Sequence, residues 1–292
     1  MEFAFTCLLD LKCRTGESPV YDERTDTLYF VDIPAFKLYA YGVETKELRS
    51  WDFDREVACV GLTEGSDLIV ALRDRIVLFD PATERREVLC EIEQDQPATR
   101  CNDGKVGPDG AFWIATMDDR KDKEPIGSLY RVTSGGRVEK KVEGYQIPNG
   151  IAWTPDGEWM FNTDTRGPWI DRWRFDRRTG DLSDRTRIAV LDNPTGRPDG
   201  GACDARGSYW SAGVSAGRIN HFNRDGELLG FHPLPAVGPT MPCFGGPDFH
   251  TLFVTSLREG RDPEQLQKLP LSGGLFAARS ETPGFPAWRF LL

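Results

Sequence analysis

Three histidines, no Cys-x-x-Cys pair and no excess of basic residues set the first limits on this 292-residue chain. His221, His232 and His250 all fall away from the positions singled out below, so a zinc centre built on imidazole is disfavoured. The seven cysteines, at positions 7, 13, 59, 90, 101, 203 and 243, are odd in number and scattered. That spacing gives neither a zinc knuckle nor a disulfide framework, and it reads as small apolar residues kept in a reducing compartment. Lysine and arginine total 36 against 46 acidic residues, a formal net charge of -10. A nucleic-acid groove normally presents a basic face, so that partner is excluded while small polar substrates are not. No stretch approaches the ~20 apolar residues of a membrane-spanning helix, and Met1 to Phe5 lack the basic segment and apolar run of a secretory signal. The expectation is a soluble, cytoplasmic protein with no membrane partner.

Familiar catalytic signatures are missing as well. No P-loop or Rossmann fingerprint occurs, which removes the usual nucleotide hydrolases and dehydrogenases. Gly213-Val214-Ser215-Ala216-Gly217 has the spacing of a serine-hydrolase elbow, but it joins two strand-like stretches with no helix to follow. No segment longer than a turn shows helical periodicity, and a parallel α/β sheet is therefore disfavoured.

What the chain does contain is repetition. Ser18-Pro19-Val20-Tyr21-Asp22 leads through a turn at Arg24-Thr25-Asp26 to the alternating run Thr27 to Asp32, and Lys37-Leu38-Tyr39-Ala40-Tyr41 follows. The same phrase restarts at Cys59, Asn102, Asn149, Asp199 and Cys243, which gives about six copies with a period of roughly 42 to 50 residues. Glu87 to Cys90 and Val138 to Val142 supply fourth strands, and Asp109-Gly110 and Asp156-Gly157 are turns between strands. The reading is an all-β chain, a six-bladed β-propeller with four-stranded antiparallel blades and one domain over 1–292. Its ring is expected to close by pairing Thr6 to Leu11 with strands from the C-terminal end, which leaves few exposed sheet edges.

In a propeller the first strand of each blade lines the central channel, so residues at its mouth face the axis. Three such places offer oxygen: Thr15-Gly16-Glu17-Ser18-Pro19, Ile147-Pro148-Asn149-Gly150 and Arg197-Pro198-Asp199-Gly200. Asn-Gly and Asp-Gly are also common turn formers, so Asn102, Asn149 and Asp199 have a purely structural reading. Glu17 does not fit that reading, because glutamate is not a favoured turn residue. If the three strands converge, Glu17, Asn149 and Asp199 form an all-oxygen site of the kind a hard divalent cation takes.

Gly16-Glu17-Ser18-Pro19, Arg100-Cys101-Asn102-Asp103-Gly104-Lys105, Pro148-Asn149-Gly150, Pro198-Asp199-Gly200 and Cys243-Phe244-Gly245-Gly246, in this order, resemble the family of senescence marker protein 30 (regucalcin), gluconolactonases and related sugar lactonases. The likeness covers nearly the whole chain. It implies a six-bladed propeller holding one divalent cation, calcium, zinc, manganese, magnesium or iron(II), on Glu17, Asn149 and Asp199. It implies that Arg100 and Asn102 contact the substrate, a lactone of a sugar acid. The lid from Met117 to Ile126 would add contacts from Met117, Asp119 and Arg120, with Arg120 standing where animal members carry an acidic side chain. Aromatic residues such as Trp153 or Trp169 would shape the ring pocket.

The expected activity is metal-dependent hydrolysis of an aldonolactone to the open-chain aldonate, with Asp199 as catalytic base and Arg100 facing developing negative charge. A non-catalytic calcium-binding propeller and an esterase or phosphotriesterase on the same fold are the alternatives.

Overall fold

The computed structural model describes residues 3–292; residues 1 and 2 of the expected 1–292 domain lie outside the described residues. In each blade the strand farthest from the axis is the most exposed. Gly16–Asp22, Val57–Thr63, Pro148–Trp153 and Pro198–Cys203 are buried along their whole length, whereas Leu48–Asp52 and Asp181–Val190 are mostly exposed. A strand covered on both faces takes small and β-branched residues, as in Val57-Ala58-Cys59-Val60-Gly61. A rim strand carries charge, as in Asp184-Arg185-Thr186-Arg187.

Six antiparallel sheets of four strands form the blades. Blade 1 runs Gly16–Asp22, Thr27–Asp32, Lys37–Gly42 and Leu48–Asp52; blade 2 runs Val57–Thr63, Leu68–Leu72, Arg75–Phe79 and Arg86–Glu91. Blade 3 runs Thr99–Val106, Phe112–Asp118, Gly127–Val132 and Val138–Tyr145; blade 4 runs Pro148–Trp153, Trp159–Asp164, Trp169–Asp176 and Asp181–Val190. Blade 5 comprises Pro198–Cys203, Tyr209–Gly213, Arg218–Phe222 and Leu228–Pro233. Blade 6 takes Pro239–Gly245, Thr251–Ser256 and Leu275–Arg279 from the C-terminal part and Thr6–Leu9 from the N-terminal part. The expected closure is therefore present, with Thr6 opposite Ala277 and Cys7 opposite Phe276. Each inner strand touches the inner strands of both neighbouring blades, so the ring is complete.

Two features depart from the sequence reading. A six-residue α-helix, Pro263–Lys268, is inserted in blade 6, where proline starts it and the Asp262 side chain caps it by accepting from the Glu264 N–H at 2.9 Å. In addition, Arg289–Phe290 adds to blade 2 as a fifth strand, parallel to Val57–Thr63 and opposite Leu62 and Thr63. Phe290 is fully buried with Ala58, Cys59, Val106 and Phe112, and Arg289 donates to Asp22 at 2.8 Å and Glu23 at 2.9 Å.

All six inner strands shift register near their start, between Glu17 and Val20, Val57 and Cys59, Cys101 and Gly104, Asn149 and Ala152, Pro198 and Gly201, and Pro239 and Pro242. A bulge inserts an unpaired residue and re-aims the side chains around it. Ser18 and Gly150, which follow Glu17 and Asn149, take the left-handed conformation, with φ of 51° and 66°. At Gly150 a Cβ would also meet the Asp199 carbonyl oxygen at 3.0 Å, so glycine lets blades 4 and 5 approach.

These shifts correct three expected starting points. The second residues of the inner strands are Glu17, Ala58, Arg100, Asn149, Asp199 and Thr240, and of these Glu17, Arg100, Asn149 and Asp199 line the mouth of the tunnel, together with Asn102. Cys59 instead packs between blades 2 and 3 with Ile69, Ala71 and Cys101. Cys243 lies three residues beyond Thr240, deeper in the tunnel, and Asn102 lies two residues beyond Arg100.

Candidate metal centre

At the mouth where the inner strands begin, a cavity of about 220 Å³ is lined by Glu17, Arg100, Asn102, Met117, Asn149 and Asp199, with Ile33, Ile147, Val214 and Leu257 as apolar wall. Residues from blades 1, 4 and 5 that lie far apart in sequence are thus brought into one space. Local hydrogen bonding holds two of them. The Asp32 carboxylate, at the end of the second strand of blade 1, accepts from the Arg14 and Thr15 N–H groups at 2.9 Å each. Asp164 does the same in blade 4, accepting from Gln146 at 2.8 Å and Ile147 at 3.3 Å. Each carboxylate fixes the backbone two to three residues ahead of a mouth residue.

The carboxylates of Glu17 and Asp199 are only 8% exposed, and neither forms an ion pair with a described residue. Glu17 accepts from the Ser18 N–H at 2.8 Å. Burial, then the negative charges of Asp199 and Asp103, push the Glu17 carboxyl well above its usual range. Burial and Asp103 push Asp199 up to about 8, against the weaker opposing pull of Arg261 and Arg197. Two buried like charges with so little protein compensation are what a divalent cation relieves.

The third donor is oriented by its neighbour. The Thr165 hydroxyl gives its single proton to the Pro198 carbonyl at 2.7 Å, so toward Asn149 it can only accept. Asn149 Nδ2 therefore donates to Thr165 at 2.8 Å, which fixes Oδ1 on the opposite side. That oxygen accepts from Asn102 Nδ2 at 3.0 Å and keeps a second lone pair. Two carboxylates and one amide oxygen, the amide set by a second layer of hydrogen bonds, fit a hard or borderline divalent cation.

Beside them, Arg100 is clamped. Its Nε meets Asp119 at 3.1 Å, and its Nη1 donates to the Cys101 carbonyl at 2.8 Å and to Asn102 Oδ1 at 3.2 Å. Asp119 is held in turn by Arg73 at 2.9 Å. Met117, opposite Arg100 across the strand pair, completes that wall. Asp119 is thus a support for Arg100 and does not line the cavity. Arg120 does not line it either, a correction to its expected place. The buried Asp118 carboxylate takes the Arg120 guanidinium at 2.8 and 2.9 Å, and Glu124 takes it at 3.0 Å. The aromatic expectation changes too: Trp153 lines a separate cavity deeper in the tunnel, and Trp169 packs on Tyr145 between blades 3 and 4.

Sequence reasoning missed Thr165 and the apolar wall. Ile33, Thr165, Val214 and Leu257 each directly follow the second strand of their blade, as Asp119 does in blade 3. Their N–H groups donate to the carbonyls of Thr15, Ile147, Arg197, Gly238 and, for Asp119, Ala98, each two residues before the second residue of an inner strand. Aligning the copies on the ends of their second strands would have exposed this wall.

Fold and cavity together define a six-bladed propeller with a candidate oxygen-donor centre at one mouth of its tunnel. The sequence profile of the SMP-30/Gluconolactonase/LRE-like region matches residues 15–258, and the chain belongs to that family. It is 35% identical over 285 residues to the 6-deoxy-6-sulfogluconolactonase of Pseudomonas putida, covering 97% of each chain. It is 31% identical over 275 residues to human regucalcin, covering 92% of each. Among solved structures, a calcium-binding protein, regucalcin, from Agrobacterium tumefaciens superposes with a TM-score of 0.93 at 30% identity, over 99% of this chain and 98% of that one. No helix among the described residues is long and apolar enough to cross a membrane.

Proposed function

We propose that this chain is a metal-dependent lactonase that opens a sugar-acid lactone to its aldonate. The observation that carries this reading is the pairing of two buried carboxylates without an ion-pair partner among the described residues, Glu17 and Asp199, with the fixed amide oxygen of Asn149 in a cavity large enough for a small ring. The sugar-lactone substrate named for the Pseudomonas relative supports the same class.

Glu17, Asn149 and Asp199 would hold the cation, which supplies Lewis-acid polarisation of the lactone carbonyl when bound. Asp199 takes a proton from the attacking water as the water oxygen bonds to the carbonyl carbon. The ring C–O bond then breaks, and the same proton passes to the departing ring oxygen. Lactone plus water gives the open hydroxy acid, which ionises to the aldonate. Arg100 offers a clamped cation for the negative charge that develops on the carbonyl oxygen; its Nη2 has no hydrogen-bond partner among the described residues. Asn102 has a narrower role than its chemistry allows. Both its amide protons are engaged, by Pro148 and Asn149 at 3.0 Å each, so toward a sugar hydroxyl it acts as an acceptor.

Asp199→Ala tests this directly: metal-dependent acid release from an aldonolactone should vanish while far-ultraviolet circular dichroism stays β-rich. Near-normal turnover removes Asp199 from the mechanism. The second reading, a calcium-binding propeller without turnover, rests on the same donors and on the Agrobacterium relative. Acid release followed with and without EDTA separates the two, because a binding module shows none.

A further inference from the structure

The residues two places before the second residue of each inner strand form an outer ring, and two neighbouring slots of it hold guanidinium groups. The slots are Thr15 in blade 1, Ala98 in blade 3, Ile147 in blade 4, Arg197 in blade 5 and Gly238 in blade 6, each accepting a hydrogen bond from the residue after its blade's second strand. Thr15 and Ile147 line the cavity, and Arg197 holds the same register in blade 5, two residues before the cavity-lining Asp199. Gly238 has no side chain, and Arg261 fills its slot: a Cβ on Gly238 would stand 2.9 Å from Arg261 Nη2. That same nitrogen donates to the carbonyl of Val214, a wall residue, at 3.1 Å.

Neither guanidinium has a carboxylate within ion-pair distance among the described residues, although 46 acidic side chains are available to the chain. The Arg197 Nε is buried with no hydrogen-bond partner. Arg261 makes the single bond to Val214; burial weighs against its charged form, the charge of the Asp199 carboxylate favours it, and the positive charge of Arg197 again weighs against it. Arg100, on the opposite side, is tied to Asp119 and is not free in this way. Two adjacent, half-buried guanidiniums with open donors match the oxygen geometry of a phosphate, sulfonate or carboxylate.

We propose that Arg197 and Arg261 form a subsite for an anionic substituent on the sugar chain, so that the preferred substrate is a charged aldonolactone. This rests on the lactonase reading and extends it to substrate class. The subsite is built by blades 5 and 6 and is separate from the Arg120 lid.

The test compares kcat/KM for a neutral hexonolactone with that for its 6-phosphate, its 6-sulfonate and a uronic-acid lactone, in wild type, Arg197→Gln, Arg261→Gln and the double variant, all metal-loaded. Wild type should favour at least one charged lactone, and which one it favours identifies the anion. Charge-assisted hydrogen bonds are worth about 1.5–3 kcal/mol, so each single variant should lower the charged-to-neutral ratio about tenfold or more, mainly through KM. Lysine at either position should restore part of the ratio. A ratio that stays constant across the series, or a wild type that prefers the neutral lactone, overturns the proposal. If wild type opens no lactone at all, the lactonase reading fails, and calorimetric binding of 6-phosphogluconate against gluconate decides the subsite by itself. Binding of the phosphorylated acid that weakens in the double variant supports it, and equal affinity for the two acids refutes it.

Discussion

The two ends of one tunnel, built by the same six strands, have opposite chemistry. At the mouth, Glu17, Asn149, Asp199, Arg100 and Asn102 turn polar atoms into the cavity. Deeper in, a second cavity of about 80 Å³ is walled by Val60, Leu62, Val106, Trp153, Met241 and Phe244, and Phe285, Ala287 and Trp288 of the tail contribute to its lining. Lys105 lines this second cavity and donates to the Gly201 carbonyl at 2.8 Å, and Asp103, two residues nearer the mouth, accepts from the Ile151 N–H at 3.1 Å. The bulge in each inner strand lies toward its start. One end of the tunnel gathers buried carboxylates that have no ion-pair partner among the described residues, at a cost in stability, and the other is walled mainly by apolar side chains, with the Trp153 and Trp288 indole N–H groups buried without a partner.

Substitutions at the mouth should therefore cost activity and spare the fold, and substitutions at the packed end should do the reverse. The largest expected effect is at Asp199: Asp199→Ala lowers lactone turnover by roughly a thousandfold or more in a metal-saturated assay, with the urea midpoint unchanged or raised because a buried charge is removed. Glu17→Gln should weaken metal affinity about a hundredfold, measured by titration, with turnover recovered by excess metal. At the packed end, Phe290→Ala should reduce unfolding free energy by about 3–5 kcal/mol in urea while turnover per folded molecule changes little. Thr165→Ala frees the Asn149 amide to rotate and should cost about tenfold in metal affinity. The smallest effect is expected at Arg120, where Arg120→Gln should change kcat/KM less than about threefold, since its guanidinium serves Asp118 and Glu124.

The blades were legible because strand alternation and Asp-Gly turns are local signals. Glu17, Asn149 and Asp199 were legible because each is the second residue of an inner strand behind a recognisable turn. The mouth as a whole was not, since bulges move register by tertiary packing: Cys59 and Cys243 looked equivalent to Asp199 and lie elsewhere. Arg120 was misplaced because nothing local announces that Asp118, two residues earlier, captures it. Thr165 was invisible for a related reason, as its role depends on Pro198 of the next blade. The parallel pairing of Arg289–Phe290 leaves no periodic trace in two residues.

The central claim is that one divalent cation sits among Glu17, Asn149 and Asp199. Anomalous diffraction from crystals grown with manganese tests it most directly. The account predicts a single strong peak at the mouth, within about 2.0–2.6 Å of an oxygen of each of the three side chains, lost in Asp199→Ala crystals. A peak elsewhere in the tunnel, or three side chains turned away from one another around solvent, would contradict it.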